Sequence, residues 1–144
     1  MLVAVMTVGL VVLAIALVSA TAYGLWHRRA AGRMRASSGE QAVLLGESDL
    51  GGPLGERATL VQFSSAFCAP CRATRRVLDQ VASQVDGVRH VDIDAESHLD
   101  LVRRLDVRRT PTVLVLDSRG AVVRRAVGQP RPPDVVAALG VAIG

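Results

Sequence analysis

ATLVQFSSAFCAPC, residues 58–71, is the most informative segment of the 144-residue chain. Its first six residues are apolar or β-branched except for Gln62, which is typical of a buried strand. Its last four residues contain the only two cysteines of the sequence, Cys68 and Cys71. Apolar side chains then recur at helical spacing through residues 71–84. The segment therefore predicts a strand, a short loop and a helix that begins at the cysteine pair.

The cysteine pair predicts thiol–disulfide exchange. Two intervening residues let both sulfurs meet across the first turn of a helix, and the unpaired N–H groups of that turn favour a thiolate. We expect Cys68, at the exposed helix start, to be the nucleophile and Cys71 to be the resolving thiol. Pro70 suits the first turn, because the N–H that proline lacks is not needed there.

Other uses of a cysteine pair fit this sequence less well. A zinc site usually has four ligands, and only His27, His90 and His98 remain as histidine candidates. Haem attachment needs a histidine directly after the second cysteine, where Arg72 stands. A purely structural disulfide over so short a loop constrains the unfolded chain little. We therefore expect no metal and no cofactor.

The first 26 residues predict a transmembrane helix. They contain no charged side chain, and about 20 consecutive apolar residues suffice to cross a bilayer. A cleaved signal peptide is the alternative, with a possible cleavage site at residues 19–22, although no basic residue precedes the apolar run. By the positive-inside rule, the arginines after the run predict a cytoplasmic C-terminal domain, with an extracytoplasmic domain as the alternative; they are Arg28, Arg29, Arg33 and Arg35.

The chain divides into three predicted regions: the transmembrane helix at 1–26, a basic flexible tether at 27–40 and a globular domain at 41–144. From residue 36 onward, 13 arginines balance 13 acidic residues. The globular domain is therefore near neutral, and we expect no nucleic-acid partner.

Within the globular domain, strand and helix patterns alternate. We predict strands at 42–45, 58–63, 88–93, 112–116 and 121–127, and helices at 71–84, 97–105 and 134–142. Ser97 is the expected N-cap of the second helix. Residues 46–57 are rich in glycine and predict a loop or a broken helix. This order predicts an α/β fold with a mixed sheet covered by helices.

Residues 41–144 resemble the thioredoxin family. The resemblance rests on the segment that ends in Cys68-Ala69-Pro70-Cys71, on residues 91–94 (VDID) before a helix, and on residues 110–112 (TPT) before a strand, with Gly128 after the hairpin. It implies a thioredoxin-like three-layer fold and a cis peptide bond before Pro111, packed beside the cysteines. It also implies that Thr110 and Pro111 form the substrate platform, and that Phe67 and Pro70 contact the substrate.

The sequence departs from the family pattern near the cysteines. Phe67 replaces the usual tryptophan, and Ala69 replaces a common glycine. Gln62 stands where thioredoxins carry a buried aspartate that helps to move the proton of the resolving thiol, and glutamine cannot act as a general base. A family lysine near that aspartate aligns with His90, which we expect to be solvated at a strand end. Slower proton transfer or a shifted reduction potential follows as a hypothesis.

Three functions are compatible with these features. The first is a membrane-anchored protein-disulfide reductase that acts on protein thiols and disulfides and receives electrons from a separate reductase. The second places the domain outside the membrane, where it exchanges or forms disulfides. The third is a non-catalytic adaptor with a thioredoxin fold, although the retention of both cysteines argues against it.

Overall fold

The computed structural model describes residues 2–30, 32–36 and 43–144. The chain forms two compact units, Met1–Ala30 and Ala31–Gly144. The first unit is one helix, α1 (Leu2–Ala30). Its window Gly9–Trp26 has a mean hydropathy of 1.9, so it is long and apolar enough to cross a membrane, a property that signal sequences share. The rings of Tyr23 and Trp26 lie near its end, with centroids 6.2 Å apart.

A five-stranded mixed sheet forms the centre of the second unit. The strands are β1 (Arg35–Ala36), β2 (Ala58–Ser64), β3 (Val88–Asp94), β4 (Thr112–Asp117) and β5 (Val122–Val127). Their order across the sheet is β1-β5-β4-β2-β3. Only β2 and β3 pair in parallel, and the other neighbours are antiparallel. The ends of β2 and β3 therefore meet the start of β4 at one edge of the sheet.

Helices cover both faces of this sheet. They are α2 (Glu47–Leu50), α3 (Ala69–Gln84), α4 (Leu99–Arg104) and α5 (Pro132–Ile143). Side chains alternate along β2, so that Leu60 packs with α3 and α5, whereas Val61 and Phe63 pack with α2 and α4. Each such fully buried side chain contributes about 1.5–3 kcal/mol. The predicted three-layer, thioredoxin-like α/β fold with a mixed sheet is confirmed.

Part of the predicted tether belongs to the sheet. Arg35 and Ala36 pair with Arg125 and Arg124 of β5, and the Gly32 N–H donates to the Val127 carbonyl at 2.8 Å. Residues 32–36 are therefore not the flexible segment that we expected, because backbone hydrogen bonds hold a stretch with no strand-like sequence pattern. Residues 27–30 of the predicted tether belong to helix α1, so they are not a flexible segment either. The tether positions 31 and 37–40, and the predicted domain start at 41, lie outside the described residues.

Three local predictions also need correction. Leu44 forms one isolated bridge with Ala121 instead of a strand, and position 42 lies outside the described residues. Helix α3 begins at Ala69, two residues earlier than predicted, since Cys68 is its N-cap. The N-cap of α4 is His98 and not Ser97, because the Ser97 hydroxyl donates backwards to the Asp94 carboxylate at 2.5 Å.

Candidate active site

The two cysteines lie at the start of α3 and form a disulfide. Their sulfurs are 2.01 Å apart and their Cα atoms 5.2 Å apart. Cys68 takes an extended N-cap conformation, with φ −90° and ψ 96°, and its sulfur accepts a hydrogen bond from the Cys71 N–H at 3.2 Å. Pro70 lies in the first turn, where its missing N–H costs nothing. The helix start therefore supplies the Cys71 N–H group to the sulfur of Cys68.

The two sulfurs differ in their access to solvent. Cys71 is 2 % exposed, because it lies on the buried face of α3. Cys68 is half-buried, and Pro70 beside it is exposed. Phe67, directly before Cys68, is 98 % exposed, although it is one of only two phenylalanines in the chain. A partner can therefore reach Cys68 past an exposed apolar ring, whereas Cys71 is shielded.

The structure brings Thr110 to the loop that precedes Cys68. The Thr110–Pro111 peptide bond is cis, as the family resemblance implied. The hydroxyls of Ser65 and Thr110 lie 3.1 Å apart, and the Pro111 carbonyl accepts from the Gly128 N–H at 2.7 Å. The contact between Ser65 and Thr110 follows from the pairing of the strands, because β4 starts beside the end of β2, with Thr112 opposite Phe63.

Gln62 of β2 is hydrogen-bonded to the start of α3. Its side chain is fully buried, and its Nε2 donates to the Cys71 carbonyl at 2.9 Å. Its Oε1 has no hydrogen-bond partner among the described residues. The amide therefore connects the first turn of α3 to β2. It offers a hydrogen-bond acceptor but no ionisable group next to the Cys71 backbone.

His90 is not the solvated residue that we expected. Its side chain is only 6 % exposed, and its Nδ1 lies 2.6 Å from Oδ1 of Asp79 on α3. Its Nε2 is buried and has no hydrogen-bond partner in the part of the chain that the structure describes. The physical reason is that α3 packs over this face of β3, so that the ring lies between the helix and the strand and contacts Asp79.

A second polar link joins α3 to the sheet near the cysteines. Arg75, one turn after Cys71, forms an ion pair with Asp92 of β3. Asp92 also accepts a hydrogen bond from the Ser64 hydroxyl at 2.7 Å. The Arg75 guanidinium thus connects the first half of α3 to β3.

Asp94 is the last residue of β3 and lies opposite Ser64, the last residue of β2. Hydrogen bonds from the Ser97 hydroxyl and from the Glu96 N–H hold the pKa of this carboxyl below its usual range. The Ala95 N–H donates to the Ser64 carbonyl at 2.9 Å, which joins this turn to the end of β2. The VDID segment therefore serves to build the turn beside the cysteine loop.

Within the described ranges, no three histidine, cysteine or acidic side chains converge to hold a metal ion. The expectation that the chain uses no metal or cofactor stays a prediction.

Four contacts near the site were not predicted from the sequence: Ser65–Thr110, Ser64–Asp92, Asp79–His90 and Arg75–Asp92. One signal for the last two was present. Arg75 and Asp79 are spaced for one helix face, and His90 and Asp92 alternate on one strand face, with opposite charges available on the two elements. The pairing of α3 with β3 was needed to connect them.

Comparisons with known proteins agree on one family. The profile of the thioredoxin family matches residues 54–139. Thioredoxin C-2 of Corynebacterium nephridii is 34 % identical over 74 residues, which cover 51 % of this chain and 68 % of that protein. Thioredoxin of Mycoplasma genitalium is 25 % identical over 73 residues, covering 51 % of this chain and 71 % of that protein. A mutant thioredoxin of Halobacterium salinarum superposes with a TM-score of 0.57 at 21 % identity, over 62 % of this chain and 77 % of that one.

Proposed function

Because the chain belongs to the thioredoxin family, we propose that it is a membrane-tethered protein-disulfide reductase. Thiol–disulfide oxidoreductase activity follows from the family and from the Cys68–Cys71 disulfide. The direction of electron flow, the protein substrates and the tether are the proposal. One observation carries it, namely the asymmetry between a half-buried Cys68 and a Cys71 that is 2 % exposed.

The asymmetry supports a different role for each sulfur. In the dithiol form, the Cys68 thiolate attacks a partner disulfide, and one partner sulfur leaves as a thiolate. Cys71 then attacks the Cys68 sulfur, which releases the second partner sulfur and forms the disulfide present in the structure. Two electrons pass to the partner in this sequence. A separate reductase must return them before the next cycle.

The proposed substrate platform consists of the sequence neighbours of Cys68 and of the segment directly before β4. Phe67 and Pro70 offer exposed apolar surface on one side. Thr110 and Pro111 lie at the start of β4, next to the loop of Ser65. We expect a partner segment to lie extended beside residues 110–111 and to pair with the backbone of Thr110, while its disulfide reaches Cys68.

An insulin-reduction assay tests the activity. The full chain in detergent micelles, with dithiothreitol as electron source, should accelerate insulin precipitation, and Cys68→Ser should abolish the acceleration. Cys71→Ser, reduced beforehand and freed of dithiothreitol, should instead trap a mixed disulfide with insulin, visible on a non-reducing gel. Ala69→Gly, which leaves both sulfurs in place, is the matched control and should retain activity. If the parent protein gives no acceleration, the chain is better described as a non-catalytic adaptor.

The tether and the side of the membrane need a separate experiment. Helix α1 supports a membrane span, and the arginines that follow it support a cytoplasmic domain. After alkaline carbonate washing, the chain should stay in the membrane pellet with its first residues intact by mass spectrometry. An impermeant maleimide should label Cys68 only after intact cells are permeabilised. Labelling from outside would favour the extracytoplasmic alternative, and a shortened soluble form would indicate a signal peptide.

The reduction potential separates a reductase from an oxidase. A value of roughly −270 mV, typical of thioredoxins, supports the reductase, whereas a value of about −120 mV is that of a strong protein oxidant. Equilibration of the full chain with glutathione buffers, read by alkylation of the free thiols, measures this potential. An oxidising value would overturn the proposed direction while leaving the exchange chemistry intact.

A further inference from the structure

Two buried polar atoms lack hydrogen-bond partners among the described residues: Oε1 of Gln62 and Nε2 of His90. They lie on neighbouring strands. Gln62 is opposite Asp92 in the parallel β2–β3 pair, two residues beyond His90. Strands in a sheet are about 4.8 Å apart, and residues two apart share a face.

Both side chains face α3. Gln62 donates to the Cys71 carbonyl, and His90 contacts Asp79, eight residues further along the same helix. A buried acceptor and a buried ring nitrogen therefore lie on the same face of the sheet, under the helix that carries the resolving sulfur. Buried polar atoms in such a position are usually bridged by an ordered water.

Asp79 sets the state of the His90 ring. An ionised carboxylate only accepts hydrogen bonds, so the contact of 2.6 Å requires that Nδ1 carries a proton. In the neutral ring, Nε2 then has a free lone pair and can accept a proton. Asp79 is itself 61 % exposed, which connects the buried ring to solvent.

Few other charges face this ring. Arg75 of α3 and Asp92 of β3 lie beside it and pair with each other. Strand β2, the only neighbour of β3 in the described sheet, contributes no ionisable side chain. Asp79 is thus the charged group in contact with the ring, and the Arg75–Asp92 ion pair is the next charge on the same face.

The resolving step needs such a base. Cys71 is 2 % exposed, and a thiol that is buried resists ionisation. Yet it must lose its proton before it can attack the Cys68 sulfur. Gln62, the side chain that contacts its backbone, cannot take that proton.

We propose that His90 accepts the Cys71 proton through one water molecule held by Oε1 of Gln62. The inference rests on the proposed exchange reaction and identifies the base for its second step. The thiol gives its proton to the water, and the water gives one of its own to Nε2 of His90. The Cys71 thiolate attacks the Cys68 sulfur, the Cys68–partner bond breaks, and the partner sulfur leaves as a thiolate. The imidazolium then returns its proton to solvent past Asp79.

The reaction of the reduced full chain with a chromogenic aromatic disulfide, dithiobis(nitrobenzoate), separates the two steps. In stopped flow, the first thiolate release depends on reagent concentration and reports attack by Cys68. The second release is independent of concentration and reports attack by Cys71. His90→Gln should leave the first phase within about twofold and slow the second on the order of 10²-fold at pH 7, the lower range for general base catalysis.

Two further variants distinguish a base from a structural support. Adding Gln62→Asp to His90→Gln supplies a carboxylate under Cys71 and should restore most of the second phase. His98→Gln is the matched control, since its ring lies at the N-cap of α4 and contacts the Asp94 carbonyl. The pH dependence of the second phase should differ between the parent and His90→Gln, because only the parent has a general base at this position.

The outcomes are distinct. An unchanged second phase and pH profile in His90→Gln overturns the proposal. Equal slowing of both phases without rescue by Gln62→Asp also overturns it, because it identifies a structural role. If insulin is not reduced by the parent but the second phase depends on His90, the base stands and the reductase function fails.

Discussion

Phe67 exposes 98 % of its surface directly before the reactive sulfur, and it makes no contribution to the buried core. A large exposed apolar side chain beside a reactive group is more readily explained by contact with a partner than by folding. We therefore expect Phe67 to affect the rate of reaction with protein substrates and not the free energy of unfolding.

Phe67→Ala should lower kcat/KM for insulin about tenfold, since ~1.5 kcal/mol is typical of an aromatic contact at an interface. The rate with the small chromogenic disulfide should change less than about twofold, because that reagent does not need the apolar contact. Leu44→Ala, at an exposed apolar side chain beside the Ala121 bridge, is the control. Equal loss with both substrates would show that Phe67 acts on the sulfur itself.

At the scale of single residues, the reactive residues could be predicted from the sequence better than the contacts around them. Cys68, Cys71 and Pro111 were recognisable because their pattern along the chain is local. The burial of His90 was not, since it depends on which helix packs over this face of β3. The same holds for the contact of Ser65 with Thr110, whose residues are 45 positions apart.

Strand β1 shows how an element can form without a sequence signal. Its two residues have no apolar alternation, and Arg35 is opposite Arg125, a like-charge pair that is unfavourable on its own. Arg125 relieves this by donating to the Leu105 and Asp106 carbonyls, both at 2.7 Å. The longer strands, by contrast, could be predicted because their β-branched or alternating residues face two cores.

The entry to β1 depends on Gly32. Its φ is +80°, and a Cβ at this position would lie 2.0 Å from the Gln129 carbonyl oxygen. Gly32→Ala should therefore destabilise the second unit by about 2 kcal/mol, through both backbone strain and displacement of the 129–130 segment.

A glycine in an open position makes the matched comparison. Gly140 lies in α5, and a Cβ added there would meet no atom within 4 Å beyond the helix's own backbone. Gly140→Ala should stabilise the fold by roughly 0.5–1 kcal/mol, since alanine loses less backbone entropy in a helix. Urea unfolding of the full chain in detergent, followed by far-UV circular dichroism, measures both changes. Similar effects at the two sites would contradict the close approach at Gly32.

Across the whole molecule, several carboxyl groups have a lowered pKa in the folded state. They are Asp49, Asp94, Asp106 and Asp117. For Asp49 the main cause is the Gly46 N–H, and Arg104 of α4 adds a hydrogen bond at 2.5 Å, which links α2 to α4. Each group binds a proton less readily in the folded chain than in the unfolded one, so acid must weaken the fold.

The sign of this effect gives a testable pH dependence. Because the folded pKa of Asp49 lies below the ordinary 3.8, its stabilisation is complete above that pH and is lost as the pH falls through the folded value. Asp49→Asn should lower Tm at about pH 6, and the difference from the parent should shrink by about pH 2. Asp100→Asn, at a fully exposed carboxylate, is the control. A constant difference across this range would refute the linkage.

The two strong ultraviolet chromophores of the chain, Tyr23 and Trp26, both belong to α1. The unit with the cysteines therefore has no indole or phenol of its own. Intrinsic fluorescence will respond to lipid around the first helix and stay silent during dithiol oxidation. Insertion and redox turnover can thus be followed as separate optical events in one sample, without any added dye for the first of them.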